Sequence, residues 1–339
     1  MSMLLELDDV SVTLRGPRPH PFAAPTPIRA LRKVSLTMVA GETLALVGES
    51  GSGKSTLARA ITRLVPAAGQ ARFNGIDILR ADRAGMRRVR RGLQMVFQDP
   101  YSSLNRRKRI ADILTEPLKV HGVGNSQERH RRVEALIAQV GLNTDMLQRF
   151  PAALSGGQRQ RISIARALAL QPQLVICDEA VSALDVSVQA QILNLLGNLK
   201  RSYELAYLFI THDLGVVRRF ADRIAVMHAG RIIEVAPADV LFARPLHPYT
   251  RALLSAAPHP NRDRPAPQRI VLRGEPVSPL TDPPGCLFAG RCLHFRPGLC
   301  EASDPALAAH GTGHQVACHR ARGGVPAWIA DEATEGATR

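Results

Sequence analysis

Apolar residues in the first part of this chain fall into short runs broken by glycine and proline. Residues 4–14 and 34–39 alternate or cluster apolar side chains on either side of a proline-rich stretch at 17–27, which predicts strands around an exposed loop. Thr43–Val47 runs apolar into a glycine-rich turn, and residues 55–64 then take helical periodicity, a strand–loop–helix unit. Residues 174–177 and 205–210 are two more continuous apolar runs, each closing on polar residues. Strands of a parallel sheet covered on both faces read as unbroken apolar stretches and carry chemistry at their carboxyl ends, so the pattern predicts an α/β fold on a parallel sheet.

Between the early and late strands, residues 110–170 are polar and helix-favouring, which predicts a helical insertion. After Arg251 the sequence turns to Pro, Arg and His with little periodicity. The expected organisation is a unit over 1–250, with a helical subdomain at about 99–170, and a carboxy-terminal region over 251–339. No internal repeat is visible.

With 339 residues, 45% apolar and 22% charged, the chain has the make-up of a soluble globular protein with a sizeable core. No apolar run approaches the length a membrane-spanning helix needs, and Glu6, Asp8 and Asp9 stand where a secretory signal would be basic, so a cytosolic placement is expected. Lys and Arg number 44 against 29 acids, a surplus that suits nucleic acid, a nucleotide or an anionic membrane surface. Part of it is dense: Arg87, Arg88, Arg90, Arg91, Arg106, Arg107, Lys108 and Arg109 have only Asp99 as an acid among them. This is either a solvated basic face or a surface near lipid headgroups or phosphates.

Gly48-Glu49-Ser50-Gly51-Ser52-Gly53-Lys54-Ser55 fits the pattern G-x-x-x-x-G-K-[ST] and lies between a strand and a helix that continues through Thr56. Glycines let backbone N–H groups turn inward around a β-phosphate, the helix amino-terminus adds its dipole, and Lys54 reaches the β- and γ-phosphates. Ser55 is the expected Mg²⁺ ligand. Residues 174–179, LVICDE, form an apolar strand ending in two acids: Asp178 is placed to hold Mg²⁺ and Glu179 to polarise an attacking water.

Further motifs resemble those of the ATP-binding cassette (ABC) ATPases. Leu154-Ser155-Gly156-Gly157-Gln158 resembles their signature, Gln98 within Val96-Phe97-Gln98-Asp99-Pro100 their Q-loop, Ser182-Ala183-Leu184-Asp185 their D-loop, and Thr211-His212-Asp213 their switch-histidine loop. The resemblance implies a P-loop NTPase cassette with a RecA-like parallel core, an antiparallel β subdomain and a helical subdomain. It also implies ATP and Mg²⁺ as ligands, His212 on the γ-phosphate, and Gln98 as a Mg²⁺ and water ligand that reports nucleotide state. It implies a head-to-tail dimer with a second ABC ATPase subunit, identical or related. In that dimer Ser155, Gly156, Gly157, Gln158 and Asp185 serve nucleotide bound between subunits. A signature ahead of a strongly helical stretch agrees, since it offers another helix amino-terminus to an anion. Two features depart from the family: Thr13 and Leu14 stand where an aromatic residue commonly stacks on adenine, leaving Phe22 or Leu14 as substitutes, and Ala180 replaces a frequent Pro.

A single phosphate loop, no membrane segment and no room for long coiled-coil insertions fit a stand-alone importer subunit better than an exporter, ribosome or DNA-repair member. The tail sharpens this. Residues 244–251, RPLHPYTR, with Cys286, Cys292, Cys300 and Cys318, resemble the carboxy-terminal region of oligopeptide and dipeptide importer ATPases, close to nickel importers. The resemblance implies peptide uptake, with nickel or another small solute as alternatives, and the basic surplus leaves open a soluble ABC ATPase that acts on nucleic acid. The other implications of the resemblance are a peripheral position on the cytoplasmic face of the inner membrane, transmembrane permease partners gripping residues from Gln98 through about 120, and indirectly a solute-binding protein. Nucleic acid is not an expected partner. For the four cysteines, free thiols, zinc and an iron–sulfur cluster compete on spacing alone, and the resemblance favours a [4Fe-4S] cluster over Zn²⁺. Cys177 is set apart as a core residue of its strand.

Overall fold

The computed structural model describes residues 3–18, 20, 23–182, 184–257 and 269–321. The chain opens with β1 (Met3–Arg15), β2 (Pro27–Val39) and β3 (Thr43–Val47), followed by helix α1 (Lys54–Ile61), strands β4 (Ala68–Phe73) and β5 (Ile76–Asp77), helix α2 (Arg83–Gly92) and strand β6 (Leu93–Val96). Helices α3 (Pro100–Ser103), α4 (Ile110–Val120), α5 (Ser126–Gln139) and α6 (Gly156–Leu168) then follow with no strand between them. The chain returns through β7 (Leu174–Asp178), α7 (Val186–Tyr203), β8 (Ala206–Ile210), α8 (Leu214–Phe220), β9 (Arg223–His228), β10 (Arg231–Pro237), α9 (Ala238–Ala243) and α10 (Pro248–Ser255). Short strands β11 (Ala308–Ala309) and β12 (Gln315–Val316) lie near the end.

Two sheets result. The smaller is antiparallel, in the order β2-β1-β4-β5, and the larger runs β11-β12-β10-β9-β3-β8-β7-β6. Within the larger sheet β9, β3, β8, β7 and β6 are mutually parallel. Every residue of β3, β7 and β8 is buried. The reason is visible in the packing. Leu44, Leu46, Leu174, Ile176, Leu208 and Ile210 face a core shared with the antiparallel sheet and α1, while Val175, Cys177, Tyr207 and Phe209 face the helices. A strand sandwiched this way has no polar face, which is why its sequence shows no alternation.

The helical insertion forms around Ile110, Ile113, Leu114, Val133, Ile137, Ile162 and Leu168. Its helices are well started: Asn125 and Glu128 form a reciprocal cap on α5, and Ser155 and Gln158 do the same on α6. Residues 65–96 carry elements that the hydrophobic pattern does not announce, because β4 alternates only through Ala71 and Phe73 among Gly, Gln and Arg. The arginines of α2, Arg83, Arg87, Arg88, Arg90 and Arg91, are exposed.

The carboxy-terminal region is tied into the large sheet. β12 pairs with β10, placing Val316 opposite Glu234. Glu234, inside β10 and fully buried, accepts hydrogen bonds from the N–H groups of Leu246 (2.7 Å) and His247 (2.9 Å), and His314 Nε2 lies 2.8 Å from its carboxylate. One carboxylate thus joins a strand, the entry to α10 and the return strand. Glu234→Ala leaves these polar groups buried without partners and is expected to destabilise the chain by about 3 kcal/mol. Thermal unfolding checks this, and an unchanged midpoint would show that the tail is held by other contacts.

Candidate functional site

The glycine-rich turn leaves β3 at Gly48 and enters α1 at Lys54. Gly48 has φ +154° and Gly53 φ +107°, and a side chain at either would collide with backbone: a Cβ on Gly48 would stand 2.1 Å from the Met227 carbonyl oxygen, and one on Gly53 2.7 Å from that of Ala30. Only glycine allows the loop to lie this close to β9 and β2. Lys54 is buried and donates from Nζ to the carbonyls of Gly48 and Glu49, both at 2.9 Å, with Ser52 Oγ at 3.4 Å. Burial pulls its pKa down, while Glu179, Asp178 and Glu49 oppose the shift. Ser50 and Gly51 form the exposed tip, and Thr56 follows Ser55 on the first turn of α1.

Four neighbouring parallel strands end at this loop. β7 delivers Asp178, whose Oδ1 accepts from Ser55 Oγ at 2.8 Å, and Glu179 directly after it. Burial raises the Asp178 pKa, against the hydrogen bond from Ser55. Glu179 takes φ +48°, a left-handed conformation rare outside glycine, with its N–H bonded to Ile210 on β8 at 3.0 Å. The chain after β6 brings Gln98, whose Nε2 donates to Glu179 Oε2 at 2.7 Å, and the chain after β8 brings His212, with Nδ1 3.5 Å from Glu179 Oε1. A buried ammonium in a nest of backbone N–H groups at a helix start suits a polyphosphate. The Ser55 hydroxyl and Asp178 carboxylate are hard oxygen donors of the kind Mg²⁺ takes, so these residues fit MgATP.

The signature residues lie elsewhere. Ser155 caps α6, and Ser155 and Gln158 bond each other, at 2.9 and 3.3 Å, instead of reaching the loop of their own chain. Gly157 abuts α7, where a Cβ would meet Val188 Cγ1 at 2.7 Å, and Asp185 precedes α7. Thr13 is exposed on β1 and Leu14 is part-buried against the first core. Phe22 and Ala183 lie outside the described residues.

Cys286, Cys292 and Cys318 are near enough to sense one another's charge, and Cys286 N–H bonds the Cys300 carbonyl at 2.7 Å. Their thiols, however, are spread over two apolar clusters, Cys286 and Cys292 beside Tyr249 and Phe288 and Cys318 beside Leu246 and Val316. Among the described residues no three His, Cys, Asp or Glu side chains are arranged to hold a metal ion. Burial raises the pKa of Cys286, Cys292 (to about 11) and Cys318. The expectation of a [4Fe-4S] cluster or Zn²⁺ at Cys286, Cys292, Cys300 and Cys318 finds no support in this arrangement. Cys177 is a core residue, fully buried and with its thiol pushed up to about 12.

Sequence reasoning missed three residues beside the loop. Tyr249 accepts the Glu49 N–H at 2.8 Å, Arg291 pairs with the Glu49 carboxylate, and His228 lies 3% exposed against Tyr249 and Phe288. Some 200 residues separate Tyr249 from Glu49, and no local pattern signals the pairing.

A phosphate loop at the end of a parallel strand, a strand-end Asp-Glu beside it, and a Gln and a His meeting on that Glu define a P-loop ATPase of the cassette type. Residues 31–182 match the ABC transporter family, and residues 233–300 match the oligopeptide/dipeptide transporter C-terminal region. The probable peptide ABC transporter ATP-binding protein y4tS of Sinorhizobium fredii is 50% identical over 293 residues, 86% of this chain and 82% of that one. The di/tripeptide transport ATP-binding protein DppF of Pseudomonas aeruginosa is 48% identical over 303 residues, 88% of this chain and 92% of that one. The ATP-binding cassette MJ0796, solved as a dimer in a post-hydrolysis state with ADP and Pi, is 28% identical with a TM-score of 0.62, covering 69% of this chain and 99% of that chain. The chain belongs to the ATP-binding proteins of the ABC transporters and is an ABC ATPase.

The buried rings beside the loop set an acid limit on stability. Burial pushes the pKa of His228 down to about 4 and that of His247 down to about 3, from an ordinary 6.5, so both are neutral when folded. The unfolded chain takes up these protons first, so this contribution is full above pH 6.5 and is lost as pH falls toward 4. Melting temperatures measured from pH 7 to 4 should fall, less steeply in His228→Phe. An equal slope in the variant would contradict the assignment.

Proposed function

We propose that the chain is the ATP-hydrolysing motor subunit of an importer of di- or oligopeptides, working peripherally at the cytoplasmic face of the inner membrane. The observation that carries the motor reading is the meeting of Gln98 and His212 on Glu179, next to the Ser55–Asp178 pair and Lys54. The peptide reading rests on relatives named for peptide transport and on the carboxy-terminal match at residues 233–300. A [4Fe-4S] cluster at Cys286, Cys292, Cys300 and Cys318, with Zn²⁺ as the alternative, rests in this reading on the resemblance of the tail alone. The chain divides functionally near residue 250, with an ATPase unit over 1–250 that includes helices at about 99–170 and an importer-type tail over 251–339.

In this reading the backbone N–H groups from Gly48 to Thr56 and the Lys54 ammonium bind the β- and γ-phosphates. Ser55, Asp178 and Gln98 would hold Mg²⁺, which would neutralise charge developing on the phosphates. Glu179 accepts a hydrogen bond from the attacking water and aligns it in line with the γ-phosphate, and His212 holds Glu179 and the γ-phosphate in register. Phosphoryl transfer asks mainly for positioning and charge neutralisation, and these groups supply both. Ser155, Gly156, Gly157, Gln158 and Asp185 serve nucleotide on a second ABC ATPase subunit, identical or related, packed head to tail. Permease subunits dock on residues 99–120, where a change at Gln98 is felt, and a solute-binding protein acts on the far side.

Two experiments test this. Glu179→Gln is expected to keep ATP binding, lower hydrolysis about 100-fold or more and accumulate an ATP-bound dimer, whereas Lys54→Ala loses nucleotide affinity. Hydrolysis near wild type in Glu179→Gln would remove Glu179 from the mechanism. Cysteines introduced between 99 and 120 should crosslink to a membrane subunit in assembled membranes, and failure to capture one would separate the ATPase from transport.

A further inference from the structure

The phosphate loop is gripped from outside by the carboxy-terminal region at a residue the nucleotide motif leaves open. Glu49 occupies a variable position of the motif, yet all three of its polar groups are held. Its carboxylate receives two parallel bonds from Arg291, Nη1 to Oε2 at 2.8 Å and Nη2 to Oε1 at 3.0 Å. Its N–H donates to Tyr249 Oη at 2.8 Å, and its carbonyl accepts from Lys54 Nζ at 2.9 Å. We propose that Arg291 and Tyr249 are positioning residues for nucleotide binding, which clamp Glu49 so that the following N–H groups face the phosphates.

The supports of the clamp are rigid. Tyr249, on α10, is 1% exposed, with its ring edge-on to Phe288 at 5.6 Å and to His228 at 4.7 Å. Arg291 ends a 3-10 turn spanning Ala289–Arg291, directly after the buried Phe288, and its side chain is 10% exposed against 37% for Glu49. A solvent-exposed ion pair contributes little, but a forked guanidinium–carboxylate pair with one partner largely buried fixes both distance and orientation. The pair perturbs both members in the matching sense: the Arg291 hydrogen bond holds the Glu49 carboxyl below its ordinary range, and Glu49 raises the Arg291 pKa. Glu49 therefore stays charged through neutral pH, and the clamp is not a pH switch.

The loop needs such a restraint. Gly48, Gly51 and Gly53 all take positive φ, and a segment this rich in glycine has many other conformations open to it when no nucleotide is bound. Ordering them at the moment of binding subtracts from affinity, and a clamp that holds the loop beforehand removes that loss. Glu49 and Arg291 lie 242 residues apart, so the clamp also makes the loop depend on how the tail is docked.

This inference rests on the nucleotide reading of the loop, and titration of the full chain with AMP-PNP and Mg²⁺ separates the two. Arg291→Gln and Glu49→Gln are each expected to weaken binding about tenfold, the scale of one charge-assisted pair. The double variant should be no weaker than either single one. KM for ATP should rise more than kcat falls. Tyr249→Phe, which keeps the buried ring and removes only the acceptor, should weaken binding by a smaller factor and reports independently if Arg291→Gln folds poorly. Wild-type affinity in Arg291→Gln and Tyr249→Phe, or strictly additive losses in the double variant, would overturn the clamp. No binding by the wild-type chain, or equal binding by Lys54→Ala, would instead overturn the nucleotide reading.

Discussion

Burial of the central strands on both faces is the constraint from which the rest follows. β3, β7 and β8 have no exposed residue, and alternate side chains along them enter different cores. A one-residue slip of any of them would exchange large and small side chains between cores already filled, so register is fixed. Parallel register then brings the carboxyl ends of four strands to one level, and the chemistry-bearing residues stand just past those ends: Gly48 after β3, Gln98 after β6, Glu179 after β7 and His212 after β8. The site is a consequence of packing, with little contributed by the loops beyond glycine where the chain must turn.

Electrostatics at the site run against burial. Lys54 and Asp178 are both taken out of water, and burial moves each pKa toward its neutral form. Their opposite charges are kept near one another, so that the cost of burial is partly offset within the site, whereas the like charge of Glu179 adds to the upward push on Asp178. In the proposed reading a bound polyphosphate with its metal would meet both groups already desolvated and oriented, which is the condition under which charge stabilisation is effective. The left-handed backbone at Glu179 belongs to the same arrangement, since it turns that carboxylate toward Gln98 and His212 directly after a straight strand.

Much of this was legible in the sequence, and the exceptions have physical causes. Thr43–Val47, Leu174–Asp178 and Ala206–Ile210 announce themselves as unbroken apolar runs because each is covered on both faces. Lys54, Asp178 and Glu179 were legible from the phosphate-loop pattern and the acids that close an apolar strand, whereas Gln98 and His212 were marked only by the resemblance of their motifs to the family's. β4 was not, since a strand of Gly, Gln and Arg with two apolar anchors has no clear period, and β10 was obscured by Glu234 at its centre, a carboxylate that is buried only because two backbone N–H groups and His314 meet it. Crowding of four cysteines in the tail, together with the resemblance, suggested a metal; in the fold Cys286 and Cys292 pack against one apolar cluster and Cys318 against another, and no metal-holding group stands among the described residues. The grip of Tyr249 and Arg291 on Glu49 is long-range and rests on a position that the motif leaves free, so nothing local marks it.

The central claim is that the strand-end acids and the phosphate loop act as one metal-dependent hydrolytic unit. The most direct measurement is phosphate release from ATP by the purified full chain, with and without Mg²⁺, in the wild type and in Asp178→Asn, which keeps the shape of the side chain and removes its charge. The account predicts release that requires Mg²⁺ in the wild type and falls to background in Asp178→Asn while the fold is retained. Release that persists at the wild-type rate in Asp178→Asn would contradict it.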